Sequence, residues 1–557
     1  MTTATGHPWI ASRFFTPSGC LVAETAADVV PELVFERLAG LPHLLFLDSA
    51  LTDPHTDEPT NHGKGHRQDA RPGRAAGPAA PRLGRWSFVA ADPIHSLRLD
   101  PPTAPAADDS RLAGAFASLR RLLADLACPT IPGLPPFQGG VAGLVSYECG
   151  LERLGIPAPA ARSVPLVSLH VYDLVFAYDH DLARGWFISQ GVPARGPVAR
   201  RDRAEERLAA LLAAAAAPRH APPRPPALAQ APSPASAPDS RPSAPPAGLP
   251  AAFAHPLPSR PGVFATHSPA SYRDMVRAGI DFIRAGDIFQ VNLAQQFTLA
   301  ATVDPVAVHL AARRTNPAPF AACFDAGGVA VVSMSPERFL QVSRGVVRMH
   351  PIKGTRRIVS LPEADLYAGD DLEASAKDRA ENVMIVDLIR NDLARVCTPE
   401  SVRVEALCRL ERYRYVQHLV SIVAGRLAPG LGPLDALEAA MPGGSVTGAP
   451  KHRACEIIAA LEPVPRGVYC GSLGYVGFDG TADFNLLIRT FVVGPDSISF
   501  AAGGGITAAS DPAAEHAESL HKAEGLLRVL DGLGLGGRPA DGRPAGDMPP
   551  AANEAQT

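Results

Sequence analysis

SLHVYDLVFAYD, residues 168–179, decides the reading of the fold: it is a short run of Val, Leu, Phe and Tyr, residue types that suit a pleated strand. Working outward through residues 1–217, LLFLDSA (44–50), RWSFVAADP (85–93) and GGVAGLVSYE (139–148) are of the same kind, and helical patterns fall near 111–126 and 202–217. Residues 263–534 also alternate strands and helices. Helices are expected at roughly 269–285, 376–394 and 512–530, and strands at VAVVSMSP (329–336), RGVVRMHPI (344–352) and ISFAAGGGI (498–506). No internal repeat is visible. The mixture predicts an α+β fold of large, mostly antiparallel β-sheets packed as a sandwich, with the helices outside.

Composition divides the chain further. Residues 52–80 are polar, rich in Gly and Pro and aperiodic, and are expected to be a disordered insertion in the 1–217 region. Residues 218–262 are dominated by Pro, Ala and Ser; they cannot bury enough apolar surface to offset their ordering entropy and read as a linker. A second structured domain, the one the resemblance described below implies to be catalytic, is expected at 263–534, and a disordered Gly/Pro/Ala-rich tail at 535–557.

The 557 residues are 46% hydrophobic but only 6% aromatic, so Ala, Val, Leu and Ile must build most of the core. A formal charge of -4, from 52 basic and 56 acidic residues, argues against nucleic-acid binding. Eight cysteines occur singly with no C-x-x-C pair, which argues against a zinc knuckle or disulfide framework and fits a reducing compartment better. The N-terminus lacks a basic start followed by an apolar run, and the Ala/Leu run 208–217 is too short to span a bilayer. The expectation is a soluble cytoplasmic protein with no membrane contact.

Lysine is scarce. Five of the 52 basic residues are Lys (64, 353, 377, 451 and 522), leaving 47 Arg. Arg is effectively never deprotonated, whereas a buried Lys can become a nucleophile or a compact charge. Lys64, in a polar loop, needs no special role. Lys353 ends an apolar strand-like run in VVRMHPIKGTRR, where desolvation lowers an amine's pKa and frees it for attack.

Carboxylates interrupt two apolar helix faces. In KDRAENVMIVDLIRNDL (377–393), Glu381 shares a face with Met384, Ile385 and Leu388, and Asp378 lies one turn earlier. In DPAAEHAESLHKAEGLL, Glu515, Glu518 and Lys522 fall at i, i+3 and i+7, on a face continuing into Leu526 and Val529. Such carboxylates are costly unless paired or bound to a cation, and two facing pairs fit magnesium, which prefers oxygen ligands. A plain Glu518–Lys522 pair at i, i+4 is the alternative. His516 and His521 point elsewhere, and no HExxH spacing occurs.

MPGGSVTGAPK (441–451) lacks the Lys of a nucleotide-binding P-loop after Gly448, but its amides with Ser445 and Thr447 could hold a carboxylate or hydroxyl. Gly503, Gly504 and Gly505 follow a strand and let amides approach an anion. Arg489, alone among apolar residues in LLIRTFVV, suits either a bidentate carboxylate clamp or a buried structural ion pair.

Taken together, GDIFQVNLAQQF, NPAPFAACF, SPERFL, PIKGTRR, KDRAENVMIVDLIRNDL, QHLVS, PGGSVTGAPKHRACEII, CGSLGYVGFDG, LLIRT, AGGGI and the 515–522 helix resemble the chorismate-utilising enzymes, in family order across residues 263–530. FLDSA, RWSFVAADP and FQGGVAGLVSYE extend the resemblance N-terminally, and it implies the anthranilate synthase component I-like fold. It further implies Glu381 and Glu518 as magnesium ligands with Asp378 and Glu515 beside them; Asp378 is shorter than the Glu many relatives carry. Arg489, Tyr475 and the Gly503 and Gly505 amides would hold substrate carboxylates, with Thr447 and Lys522 nearby. His418, Ser445 and Glu337 would line the ring near its departing hydroxyl.

Two positions divide the family's reactions. Members that add water carry a Lys where this chain has Gln290, and anthranilate synthases usually carry an Ala where it has Lys353. The resemblance therefore implies aminodeoxychorismate synthase chemistry, in which Lys353 forms a covalent intermediate and Glu337 serves as acid, serving para-aminobenzoate and folate synthesis. No cysteine lies in a G-x-C-x-G context, so ammonia is expected from a separate glutamine amidotransferase subunit. The LDS of FLDSA resembles the family's tryptophan pocket; a strand edge with Asp48 and Ser49 in a turn is the plain alternative. An anthranilate synthase component I and a non-catalytic chorismate-binding subunit are the rival readings.

Overall fold

Val, Ile, Phe and Tyr in short runs pair here over long sequence distances, and the two halves of the chain share both of the sheets they build. The computed structural model describes residues 7–49, 83–102, 110–157, 164–217, 246, 249–260, 262–358, 369, 371–372, 374–412 and 416–535. The 52–80 insertion, most of the 218–262 stretch, nearly all of the tail and Lys64 lie outside the described residues.

Among the described residues one sheet has 14 strands and the other 10, with antiparallel pairing throughout. In the larger sheet the seam is Leu45–Asp48 against Phe320–Asp325. In the smaller it is Gly140–Val145 against Ser472–Gly477. The stretch before residue 263 already joins the larger sheet, because His255–Pro256 pairs with Val263–Ala265.

Strand alternation sends one face of each sheet inward. Phe88, Phe137, Ala142, Leu144, Phe324, Leu473 and Tyr475 fill the space between the sheets. Helices cover the outer faces. Pro31–Arg37, Pro197–Ala216, Pro305–Thr315 and Pro512–Gly532 pack on the larger sheet, and Ser110–Asp125, Ala376–Ala394 and Pro433–Ala440 on the smaller. This is the expected α+β sandwich.

Local chemistry sets the element ends. Pro269–Arg284 is started by a capping box, with the Ser268 hydroxyl accepting from the Ser271 amide and the Ser271 hydroxyl accepting from the Ser268 amide. Pro512–Gly532 starts where Asp511 caps the amides of Ala513 and Ala514. The expected strand 344–352 divides into Val346–Met349 and Ile352–Arg357, with His350 and Pro351 between them, since Pro has no amide to give a ladder. Among the described residues no helix is long and apolar enough to cross a membrane.

Candidate active site

The site starts from the strand Ile352–Arg357, which pairs with Val416–Arg426. Its register slips between Lys353 and Thr355, where Gly354 adopts φ 74°. That left-handed conformation suits glycine, and a Cβ there would stand 2.7 Å from Leu372 Cδ1 and 3.1 Å from Asp378 Cγ. The slip lets the N-terminal turn of the helix Ala376–Ala394 close onto the strand carrying Lys353.

Lys353 is partly buried, and its Nζ donates to the Ser445 carbonyl at 3.1 Å. The same Ser445 donates its hydroxyl to Glu337 Oε1 at 3.0 Å, so one residue ties amine and acid together. Burial pushes the Lys353 pKa down, against the fields of Glu381 and Glu337; Lys522 pushes the same way as burial, and Glu518 opposes it. Burial pushes Glu337, 7% exposed, up to about 7, against the opposing pull of Lys353 and of its hydrogen bonds. Burial thus shifts both groups in the direction of their neutral forms, while the charge of each opposes the shift of the other. His418, on the partner strand, is 2% exposed and held neutral, its pKa brought to about 4 by burial and the nearby Arg489 charge.

Across the cleft stand the acidic helices. A Cβ on Gly504 would stand 3.1 Å from Glu515 Oε2, 3.6 Å from Glu518 Oε1 and 3.8 Å from Lys522 Nζ, so the bare glycine leaves room where these groups converge. Lys522 Nζ lies 2.7 Å from Glu518 Oε1 and donates to the Gly503 carbonyl at 2.9 Å. Ser510 donates to Glu515 Oε1 at 2.6 Å. The i, i+4 pair thus forms, on the face turned towards the site.

Among the described residues no three acidic, His or Cys side chains stand close enough to make a metal cage. The donor type nonetheless fits a hard divalent cation: Glu381 and Glu518 both act on Lys353 from opposite helices, and Gly504 keeps the space beside Glu515 and Glu518 open.

Arg489 has φ 51°, an uncommon left-handed position for a residue with a side chain, fixed by the Met334 amide donating to its carbonyl at 3.0 Å. Its side chain reaches solvent, yet surrounding protein pushes its pKa down, the condition of a group lining a deep cleft. Among the described residues no carboxylate pairs with it, and its charge acts on His418. Gly503 and Gly505 lie in the ladder opposite Ala294 and Asn292. Gln290, 2% exposed, lays its Nε2 2.1 Å from where a Cβ on Gly505 would stand.

Two expected residues do not join this group. Tyr475 is 5% exposed and stacks on Phe137 at 4.4 Å between the sheets, on the same strand face as Leu473. Thr447 is fully buried and donates its hydroxyl to Gly443 O at 2.9 Å, inside its own loop. Sequence reasoning missed Tyr469, which lines a cavity of about 290 Å³ with Thr490, the neighbour of Arg489, and lies under Arg466. It also missed Asn382. This fully buried amide beside Glu381 donates to the Leu419 carbonyl at 3.3 Å and accepts from Ser421, pinning the acidic helix to the His418 strand. An Asn in an apolar helix stretch was the available signal. At the FLDSA segment, Asp48 is taken by Arg313 at 2.8 Å, with Ser87 donating at 3.2 Å and His309 3.5 Å away.

A partly buried amine and carboxyl tied together by Ser445, an exposed guanidinium and facing carboxylates form a polar, charged group of side chains. A family model for chorismate binding enzymes matches residues 78–528. The chain is similar to anthranilate synthase component 1 of Streptomyces coelicolor, 38% identical over 463 residues, covering 81% of this chain and 82% of that protein. It is similar to aminodeoxychorismate synthase component 1 of Klebsiella aerogenes, 37% identical over 398 residues, covering 71% and 78%. The solved anthranilate synthase component I from Streptococcus pneumoniae TIGR4 superposes with a TM-score of 0.61 at 28% identity, over 83% of this chain and 95% of that one.

Proposed function

The chain belongs to the chorismate binding enzyme family, and on that premise we propose that it is the large subunit of a cytoplasmic aminodeoxychorismate synthase. It would convert chorismate and ammonia to 4-amino-4-deoxychorismate, for para-aminobenzoate and folate synthesis. The observation that carries this reading is Lys353: a desolvated amine, hydrogen-bonded to Ser445 O and linked through Ser445 to an acid held at about 7.

In the proposed sequence, neutral Lys353 Nζ bonds to ring carbon two, both conjugated ring double bonds shift, and the hydroxyl on carbon four leaves as water with the proton of Glu337. Ammonia then bonds to carbon four, both double bonds shift back, and Lys353 is expelled. The covalent block at carbon two directs nitrogen to carbon four. Arg489 and the Gly503 and Gly505 backbone would receive the substrate carboxylates, and neutral His418 would line the ring. Magnesium, held by Glu381 and Glu518 with Asp378 and Glu515 beside them, would supply a Lewis-acidic anchor for the ring carboxylate.

All eight cysteines are buried and unbridged, which supports an external ammonia source, a separate glutamine amidotransferase subunit. The Asp48–Arg313 pair supports a structural rather than a tryptophan-binding role for FLDSA. The second reading, anthranilate synthase component I, draws on the 38% identity to the Streptomyces coelicolor protein. Purified protein incubated with chorismate, magnesium and ammonium distinguishes them by mass and fluorescence. The expected product is 4-amino-4-deoxychorismate; anthranilate would establish the second reading, and unchanged chorismate a non-catalytic subunit.

A further inference from the structure

A buried polar cluster joins the acidic helix Ala376–Ala394 to the strands behind it. Asn382 and Ser421 are fully buried and Cys408 is 6% exposed. The strand Arg403–Arg412 pairs with Val416–Arg426, and its register slips between Ala406 and Arg409. In that irregular stretch Cys408 takes φ 49°, a strained left-handed position for a residue with a side chain. Its amide donates to the Ser421 hydroxyl at 2.9 Å. Ser421 in turn donates to Asn382 Oδ1, and Asn382 Nδ2 donates to the Leu419 carbonyl at 3.3 Å. Leu419 is the ladder partner of Lys353. The Ser421 amide also donates to the carbonyl of Pro351, two residues before Lys353, at 3.1 Å. On the helix, Asn382 directly follows Glu381, whose charge acts on the Lys353 amine. Strained backbone and buried polar groups of this kind persist only where the surroundings over-determine them, and they gather at functional sites.

We propose that Asn382 is a positioning residue that fixes the gap between Glu381 and Lys353, so that a ring anchored at the acidic helices meets the amine at bonding distance. The inference rests on Lys353 being the nucleophile. Attack needs near-contact geometry, and a misplacement of about 1 Å costs roughly a hundredfold in rate. Substrate binding is less exacting here. Gly503 and Gly505 lie in the larger sheet and Arg489 directly precedes its strand Thr490–Val493, whereas the Asn382 cluster holds strands of the smaller sheet. Loosening the cluster therefore moves the nucleophile's wall and leaves the carboxylate-binding groups in place.

The test compares Asn382→Ala, Ser421→Ala and Ser421→Thr in the full chain, with chorismate and ammonium. Asn382→Ala should lower kcat by roughly tenfold or more while KM for chorismate stays within about twofold. Ser421→Ala should act in the same direction and less strongly, and Ser421→Thr, which keeps the hydroxyl, should hold kcat within about twofold of the wild type. In the metal-free protein, amide hydrogen exchange across 377–385 should quicken in Asn382→Ala. Unaltered kcat or unaltered exchange in folded Asn382→Ala overturns the proposal. Recovery of kcat on raising magnesium also overturns it, by reducing the cluster to an effect on metal affinity. If Asn382→Ala does not fold, the Ser421 variants decide, and equal kcat in both overturns it. The nucleophile reading is scored separately by Lys353→Ala: normal turnover in that variant removes the reading, whatever Asn382→Ala shows.

Discussion

Lys353 and Lys522 face one cleft and meet opposite conditions. Lys522 rises from a helix, 43% exposed, and is neutralised by Glu518 at 2.7 Å. Lys353 sits on a strand, where its hydrogen-bond partner is a carbonyl and where, among the described residues, no carboxylate lies within ion-pair distance. An ammonium with a contact carboxylate is a fixed charge; one stripped of water and left with a neutral acceptor gives up its proton more readily. The same residue type is thus a paired charge at one wall and a desolvated amine at the other, the second being the nucleophile of the proposed reaction.

The largest expected effect breaks that contrast directly. Lys353→Ala should lower aminodeoxychorismate formation by roughly a thousandfold or more, the scale on which deleting a nucleophile is felt, with some anthranilate appearing once carbon two is no longer blocked. Product analysis by mass decides it; normal rate and product would leave Lys353 no different in kind from Lys522.

A smaller effect is expected on the other wall. Glu518→Gln removes the charge that neutralises Lys522 and one of the carboxylates converging near Gly504. Magnesium-dependent turnover should fall roughly a hundredfold, about 2.7 kcal/mol, while the fold survives. Calorimetric magnesium titration should show weakened binding. Unaltered binding and turnover would make the Glu518–Lys522 pair an ordinary surface pair.

Both walls were legible because polar residues interrupt apolar patterns there. The helix expected at 376–394 forms as Ala376–Ala394, and that expected at 512–530 as Pro512–Gly532. A carboxylate at a set turn on an apolar face carries its direction with it. Strand pairing does not, because nothing within Gly140–Val145 names Ser472–Gly477 as its neighbour. The sharing of both sheets between the two halves was therefore hidden. The place of Tyr475 has a readable reason: two residues from Leu473 it must share that residue's face, which turns into the inter-sheet core. The helix expected at 202 begins at Pro197 because Gly196–Pro197 sets its start, ahead of an Arg-rich first stretch that hides the apolar stripe.

The smallest expected effect concerns the acid beside Lys353 and is read in stability. Burial raises Glu337 from 4.5 to about 7, so the folded protein holds this proton more tightly than the unfolded chain does. The sign follows: stability from this group is fully present below about 4.5, declines as pH rises towards 7, and is lost above it. Glu337→Gln removes the titration while keeping a similar shape. Denaturant unfolding from pH 5 to 8 should show the variant gaining on the wild type as pH rises, by no more than about 3 kcal/mol for a shift of this size. A pH-independent difference would mean that Glu337 is ionised in the folded state. Lys353 would then have a charged neighbour favouring its own protonation, and the contrast with Lys522 would disappear.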